Sequence, residues 1–310
     1  MKHVIAAFTL LFFMVSTPAA AQGDAKAQLA KQKPKDFPSQ PIEFTVVYPA
    51  GGGMDVTGRL LAKYVEKWSA ERIIVNNRTG GAGMIGHSYL ATQAKPDGHT
   101  VGVLANLVWG DAMLRAQGRW SLDALEPIGY LNTDALTWVG RTEGPYKGYS
   151  VKQIVQAAKD KPGTVRVPFQ GGGAGISALV GGNVDIAQGF YSEFRGHLDG
   201  GKVAPLAVAA GSRMDFLKDM PTFNEALGGN EYIWQVIRFA VVPKDTPAER
   251  KAWLGAAIRA AMQDPELIAE YKKFGVFFDP KLVNSNNLPR DLGAYAEAER
   301  QFYLKTGRLK

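Results

Sequence analysis

The chain has 310 residues, of which 46% are hydrophobic, a formal net charge of +7 and no cysteine. This length allows two ordinary domains with a core that needs no disulfide bridges, and the missing thiol excludes both disulfides and a cysteine-linked lipid anchor. Lysine and arginine are scattered without a dense basic run, so the mild positive charge favours anionic ligands and does not indicate nucleic-acid binding.

The first 21 residues have the pattern of a secretory signal peptide. Lys2 precedes an apolar run over residues 4–15, and small residues follow up to Ala21. The apolar run is shorter than the ~20 residues that span a bilayer comfortably. We therefore expect cleavage after Ala21 and a periplasmic mature chain of charge +6, because removal of Lys2 gives 7 − 1. The polar, proline-containing residues 22–36 are expected to form a flexible leader.

Strands and helices are predicted to alternate along the rest of the chain. Runs rich in β-branched and aromatic residues predict strands over 42–49, 72–77, 100–107, 205–211 and 239–243. Ser150 with Gln153 forms a capping-box pattern at a helix start, and Thr246-Pro247 predicts another helix start. Alternating strands, glycine loops and helices predict an α/β fold with mostly parallel sheets, in which ligands bind beyond the carboxyl ends of strands.

Two glycine loops, residues 50–55 and 79–86, lie between a predicted strand and a predicted helix. The second contains G-x-G-x-x-G, but a dinucleotide site also needs an acid about 20 residues later, where this chain has Asn106. His87 stands where a P-loop would have its lysine, so we expect no nucleotide and no cofactor. Exposed amides at a helix start still suit another anion.

Residue types that would indicate catalysis or metal binding do not cluster in the sequence. The histidines are isolated, and no G-x-S-x-G elbow is present, so we expect neither a metal site nor an enzyme. Asp55 is interpreted as an acid in the first turn of a helix. Arg238 precedes a buried strand, and it is either a carboxylate ligand or a member of a structural ion pair.

Several segments together resemble one protein family. They are YPAGGGMDVTGRLLAKYVEK, VNNRTGGAGMIGHSYLATQAKPDGHTVG, VPFQGGGAGISALVGGNVDIAQGFYSEFRGHLDGGKVAPLAV, DMPTFNEA and VVPKDTPAE. In this order, from about Phe37 to the C-terminus, they resemble the extracytoplasmic receptors of tripartite tricarboxylate transporters, the Bug family. The run Ser192–Phe194 and Arg238 resemble its tricarboxylate-binding branch.

The resemblance implies a two-lobed periplasmic binding protein-like (type II) fold with a ligand cleft between the lobes. Lobe one is expected to comprise residues 37–127 and 236–310, and lobe two residues 128–235. Relatives have a further strand, a ligand loop and a helix between residues 164–166 and 167–169. Lobe two is therefore expected to be shorter by one strand–helix unit.

The resemblance also implies which residues hold a ligand carboxylate. In lobe one these are the loops after the first two strands, with Asn106 at the side of the pocket; in lobe two they are a glycine loop and the turn at Ser192. The implied ligand residues are Ala50, Gly51, Gly52, Gly53, Met54, Asp55, Thr57, Arg78, Gly81, Ala82, Gly83, Ile85, Asn106, Gln170, Gly171, Gly172, Gly173, Ser192 and Arg238.

The expected function is capture of a small di- or tricarboxylate and its delivery to the membrane subunits of a tripartite transporter, by a monomeric receptor. Two alternatives stay open. The closed lobes could present the ligand to a sensor-kinase ectodomain, or the shortened lobe could have impaired binding.

Overall fold

A computed structural model describes residues 18–161, 163–169, 171–230 and 232–309. The strands are β1 Ile42–Val46, β2 Ile73–Asn77, β3 Thr100–Ala105, β4 Leu125–Ala135, β5 Thr137–Arg141, β6 Ile186–Gly189, β7 Val203–Val208 and β8 Gln235–Pro243. The helices are α1 Pro18–Lys31, α2 Gly53–Ser69, α3 Met84–Thr92, α4 Leu107–Gly110, α5 Val151–Asp160, α6 Gly172–Val180, α7 Tyr191–Asp199, α8 Phe223–Leu227, α9 Ala248–Met262, α10 Pro265–Lys273, α11 Pro280–Val283 and α12 Leu288–Lys305.

Lobe one is built on a sheet with the strand order β2-β1-β3-β8-β4. Strands β1, β2 and β3 pair in parallel, whereas β8 runs antiparallel to its neighbours β3 and β4. The apolar side chains of β1 and β3 are buried because helices cover both faces of the sheet. The predicted α/β class with a mainly parallel central sheet is confirmed.

Lobe two contains a smaller sheet with the order β6-β5-β7. Here β5 runs antiparallel to both neighbours, so β6 and β7 point in the same direction. Val139 on β5, Ile176 on α6 and Phe194 on α7 are among the buried residues of the core. This packing holds the first turns of α6 and α7 near each other.

The chain crosses between the lobes at two adjacent points. Strand β4 stays in the larger sheet to Ala135 and β5 begins at Thr137, so the outward crossing lies at Leu136. The expected boundary after residue 127 therefore falls inside β4. The Leu136 amide donates to the Trp234 carbonyl, and the Trp234 amide donates to the Ala209 carbonyl, which ties the return crossing to the outward one.

Helix α1 covers residues 18–31, which include the end of the predicted signal peptide and much of the segment 22–36, where a flexible leader was expected. Leu29 is only 4% exposed, and the Trp253 indole donates to the Leu29 carbonyl at 3.1 Å. This helix packs against α2 and α9, so the segment has a tertiary partner that its polar composition did not predict. The predicted cleavage site after Ala21 lies within α1, and residues 1–17 of the predicted signal peptide lie outside the described residues.

Two predicted helix starts have different outcomes. Ser150 and Gln153 make the predicted capping box at the start of α5. Helix α9 begins at Ala248, and Thr246 does not cap it, because its hydroxyl donates to the Pro243 carbonyl at 2.7 Å. No described helix is both long and apolar enough to cross a membrane.

Residues 163–169 connect α5 to the loop before α6 without a helix or a strand. Their side chains are exposed, including Val165 at 81% and Val167 at 50%. This is the place where the resemblance predicts a missing strand–helix unit.

Candidate functional site

The first glycine loop is fixed by a carboxylate of its own helix. Gly51 has a φ of +83°, a left-handed conformation that favours glycine, and its amide donates to Asp55 Oδ2 at 2.9 Å. Arg59 Nε and Asn77 Nδ2 also donate to the Asp55 carboxylate, each at 2.9 Å. Burial would raise the pKa of Asp55, but these donors outweigh it and lower the pKa. Asp55 therefore shapes the loop, as expected for a first-turn acid.

The remaining first-loop candidates surround the start of α2. Ala50 is exposed, whereas Met54 and Thr57 are buried. Thr57 Oγ1 donates to the Gly53 carbonyl at 2.9 Å, so this hydroxyl is engaged inside the helix. Met54 Sδ accepts from Arg238 Nε at 3.2 Å.

The second glycine loop makes its contacts within lobe one. Gly80, Gly81, Ala82 and Gly83 all have positive φ values, and they lead directly into α3. The Gly81 carbonyl accepts from the Arg115 side chain, so this oxygen already has a partner within lobe one. A Cβ atom on Gly83 would lie 3.1 Å from both the Tyr48 hydroxyl and a carbon of the His87 ring.

A buried histidine lies beneath this second loop. His87 is fully buried, and its Nδ1 lies 2.7 Å from Asp111 Oδ2. Asp111 Oδ1 accepts from Arg115 Nη1, also at 2.7 Å. The chain Arg115–Asp111–His87 thus supports the loop from below, and His87 has a packing role and not a position on a helix surface.

Three further predicted ligand residues, Arg78, Ile85 and Asn106, have surroundings that the sequence did not predict. The Arg78 guanidinium lies 3.7 Å from the centre of the Tyr89 ring, and Ile85 is exposed. Asn106 uses its side chain to continue the pairing with β8: its Oδ1 accepts from the Ile237 amide, and its Nδ2 donates to the Gln235 carbonyl.

Lobe two contributes the first turns of α6 and α7. Gly171 precedes α6 with a φ of +125°, and Gly172 and Gly173 begin the helix. Gln170, also predicted to bind ligand, lies outside the described residues. Ser192 Oγ is buried without a hydrogen-bond partner among the described residues, and a Cβ atom on Gly53 would lie 3.3 Å from it. The predicted loops of the two lobes therefore meet here.

The carboxylate of Glu193 occupies the meeting point of these loops. Its Oε2 accepts from the Phe190 amide at 2.9 Å, and the amides of Gly173 and Gly53 lie close enough to the carboxylate to favour its charged form. Burial raises the pKa of Glu193, although these amides and the charge of Arg238 oppose the shift. The starts of three helices, α2 in lobe one and α6 and α7 in lobe two, therefore converge on one carboxylate.

We call the space between the starts of α2, α6 and α7 the cradle. Arg238 lies beside the cradle, in a fully buried ion pair. Its Nη2 donates to Asp134 Oδ2 and its Nη1 to Asn132 Oδ1, both at 2.9 Å. Burial raises the pKa of Asp134 to about 6, against the opposing effect of Arg238. Of the two roles that the sequence left open, the structure thus shows the ion pair. The guanidinium still borders the site, because a Cβ atom on Gly53 would lie 3.0 Å from Nη2.

Three residues of the site were not predicted from the sequence: Glu193, Asp134 and Asn132. Asn132 and Asp134 alternate along β4, which places both on one face of a buried strand beside Arg238. Such a polar pair in a buried strand is a sequence signal for a buried cation. Glu193 had a weaker signal, since an acid at the third position of a helix is ordinary capping chemistry.

Metal binding has no support in the described part of the chain, where no three His, Asp or Glu side chains gather as a metal site would require. What the site offers is a set of backbone amides, one buried guanidinium and a buried hydroxyl. These are donors, and their common partner is an anion.

Comparisons with known proteins agree with this architecture. Protein BugT from Bordetella pertussis is 24% identical over 269 residues, covering 77% of this chain and 81% of BugT. The structure of the periplasmic binding protein BugD is similar with a TM-score of 0.78 at 22% identity, covering 88% of this chain and 100% of that one. MatC from Rhodopseudomonas palustris, solved with bound malate, has a TM-score of 0.76 at 22% identity, with coverages of 86% and 98%. These structural similarities establish the periplasmic binding protein fold.

The sequence profile of the tripartite tricarboxylate transporter family receptor (TctC) matches residues 57–167 and 164–293. The two matched stretches meet at residues 164–167, inside the exposed connection before α6. Together they cover most of the chain. The protein therefore belongs to the TctC family of tripartite tricarboxylate transporter receptors, which are periplasmic substrate-binding proteins and not enzymes.

Proposed function

We propose that this receptor captures a small di- or tricarboxylate between its lobes and delivers it to the membrane subunits of a tripartite tricarboxylate transporter. The observation that carries this proposal is the convergence of the starts of α2, α6 and α7 on a carboxylate, which accepts from the Phe190 amide and lies near Gly52 and Gly172. That the carboxylate belongs to Glu193 is itself informative, because it identifies the chemical group for which this arrangement of donors is suited.

The ligand class follows from the same donors. Backbone amides at helix starts favour negative charge, and each charge-assisted hydrogen bond contributes about 1.5–3 kcal/mol. A micromolar dissociation constant needs about −8 kcal/mol after the cost of association. A single carboxylate is marginal on this scale, so a second carboxylate group on the ligand supports useful affinity. Malate, bound by MatC, is a dicarboxylate of the proposed class.

A receptor with impaired binding is the second candidate. The exposed connection over residues 163–169 stands where relatives are expected to have a further strand, loop and helix. A smaller second lobe offers fewer contacts to a ligand, so we expect weaker affinity than in a relative with the complete lobe.

Export is part of the proposal. We propose that the signal peptide ends at Ala21 and that the mature receptor acts as a monomer in the periplasm. N-terminal sequencing of the secreted protein tests the cleavage site, because the new terminus should be Gln22. A mature chain from Gln22 keeps Leu29 and its contact with Trp253.

Thermal unfolding with a panel of carboxylates tests the proposed function. Malate, adipate and citrate are compared with their matched neutral amides, using protein purified from the periplasm. A ligand present at 100 times its dissociation constant should add about 2.7 kcal/mol to stability, and this moves the midpoint by a few degrees. An upward shift with at least one acid and with none of the amides is expected.

A matched pair of glycine substitutions locates the binding. Gly52→Val places a side chain about 4 Å from Glu193, whereas Gly293→Val adds one on α12 with no atom within 4 Å of its Cβ. The shift caused by the acid should disappear in the first variant and persist in the second. A shift that survives Gly52→Val would place the ligand outside the cleft and contradict the proposed site.

A further inference from the structure

The site between the lobes already contains a carboxylate that is part of the chain. Glu193 lies on α7 of lobe two, and its carboxylate lies near the start of α2 in lobe one. A Cβ atom on Gly52 would lie 3.9 Å from Glu193 Oε1, and one on Gly172 would overlap Oε2. The carboxylate therefore lies between the glycine loops of the two lobes, and a side chain at Gly172 would displace it.

We propose that Glu193 is an internal ligand of the receptor: its carboxylate bridges the two lobes, and a solute carboxylate binds by displacing it. This inference rests on the proposed function, since it names the group that competes for the same donors. Glu193 thus lowers the affinity for the solute, although it does not contact the solute in the complex.

Helix capping alone does not account for the position of Glu193. Glu225 is also the third residue of a helix, α8, and its carboxylate accepts from the Thr222 amide at 2.7 Å. Glu225 is exposed and pairs with Arg213, and these contacts lower its pKa. Glu193 likewise accepts from the amide of its N-cap residue, Phe190, yet its carboxylate lies in the interlobe site, where burial raises its pKa. Its closeness to Gly52 and Gly172 distinguishes it from Glu225.

Electrostatics make binding of Glu193 and of a solute carboxylate mutually exclusive. Asp134 already brings one carboxyl group to the buried side of the site, and Arg238 is its partner. A solute carboxylate added beside Glu193 and Asp134 would be repelled by both at short range. Displacement of Glu193 relieves this repulsion and releases the Gly53 and Gly173 amides to the solute.

Internal competition predicts the size of the effect. The apparent dissociation constant equals the intrinsic constant divided by the fraction of molecules whose site is open. If Glu193 occupies the cradle in at least nine of ten molecules, its removal should tighten binding by about tenfold or more.

The experiment measures dissociation constants by titration calorimetry for malate, adipate and citrate. It compares the wild-type receptor with Glu193→Gln, Glu193→Ala and the control Glu225→Gln. Glutamine retains a capping group at the third helix position but has no charge, and alanine removes the side chain that fills the cradle. Thermal unfolding of each variant checks that it melts cooperatively.

Each outcome decides between clear alternatives. Tighter binding by about tenfold or more in both Glu193 variants, with no change in Glu225→Gln, is the expected result. Unchanged or weaker binding in the Glu193 variants would overturn the internal ligand and leave the carboxylate receptor intact. Binding of an ammonium-bearing solute such as aspartate that is lost with Glu193→Gln would also overturn it, because Glu193 would then be a counter-ion of the solute. No binding of any acid to any variant would overturn both proposals.

Discussion

Arg238 illustrates how one side chain can be recognised from the sequence while its partner is not. The sequence identified a charged residue before a buried strand, but it left open whether the guanidinium binds a solute or a protein group. The structure places Asp134 and Asn132 on the neighbouring strand β4, within 2.9 Å of it. Pairing between β4 and β8 joins residues about 100 positions apart, and no local pattern encodes that register.

Removal of Arg238 should destabilise the receptor strongly. Arg238→Ala leaves Asp134 buried without its cation, and such changes cost about 3–5 kcal/mol. Urea unfolding of this variant and of Arg213→Ala provides the comparison, because Arg213 forms an exposed pair with Glu225, and exposed ion pairs contribute little to stability. Equal losses in the two variants would contradict the assignment of a buried structural pair.

Asp134 should give stability a distinct dependence on pH. Its pKa is raised to about 6 in the folded chain, mainly by burial, against an ordinary value of 3.8. The folded state thus binds a proton between about pH 4 and 6 that the unfolded state has released, and this contribution to the free energy of unfolding falls as pH rises through that window. Subtracting the unfolding free energy of Asp134→Asn from that of the wild type at each pH isolates this slope. A difference that stays constant or rises with pH would contradict the raised pKa.

Local sequence patterns predicted the helices and strands better than they predicted the tertiary contacts of these elements. The capping box of α5 and the strands β1, β2, β3 and β8 follow from signals within a few residues of each element. Helix α1 did not, since its composition is polar and Leu29 is the only buried residue among those of α1 whose side chains are described, 23–31. The partner of Leu29 is Trp253 on α9, more than 200 residues away, so only the tertiary structure could reveal this contact.

The packing of α1 predicts a measurable contribution to stability. Leu29→Ala removes a buried side chain between α1 and the body of lobe one, and a change of this kind costs about 2–5 kcal/mol. Gln28→Ala changes the neighbouring exposed position and should alter stability by no more than about 0.5 kcal/mol. Chemical denaturation of both variants tests this. An equally small effect of Leu29→Ala would contradict the packing of α1 and support the flexible leader expected from the sequence.

The glycine loops show why the candidate site was predicted only in part. Their places before helices follow from the sequence, and the first loop meets lobe two as the resemblance implied. The directions of Arg78 and Asn106 depend on Tyr89 and on the edge of β8, and these contacts were not visible in the motif.

At the scale of the whole molecule, the resemblance predicted a two-lobed binding-protein fold, and the alternation of strands and helices predicted mostly parallel sheets. The binding-protein fold and a mainly parallel central sheet are confirmed. It did not predict how closely the lobes meet. Arg195 of lobe two donates to the Lys273 carbonyl of lobe one at 2.9 Å, and the Arg238 guanidinium lies 5.2 Å from the centre of the Phe190 ring. With Glu193, these contacts join the lobes beside the two crossings at Leu136 and Trp234, about which the lobes would open.

The most direct measurement is a crystal structure of the receptor grown with whichever of malate, adipate and citrate it binds most tightly. Our account predicts a ligand carboxylate on the amides of Gly53 and Gly173, with the Glu193 side chain turned out of that position. A ligand bound elsewhere, or a Glu193 carboxylate that remains on these amides beside the bound acid, would contradict it.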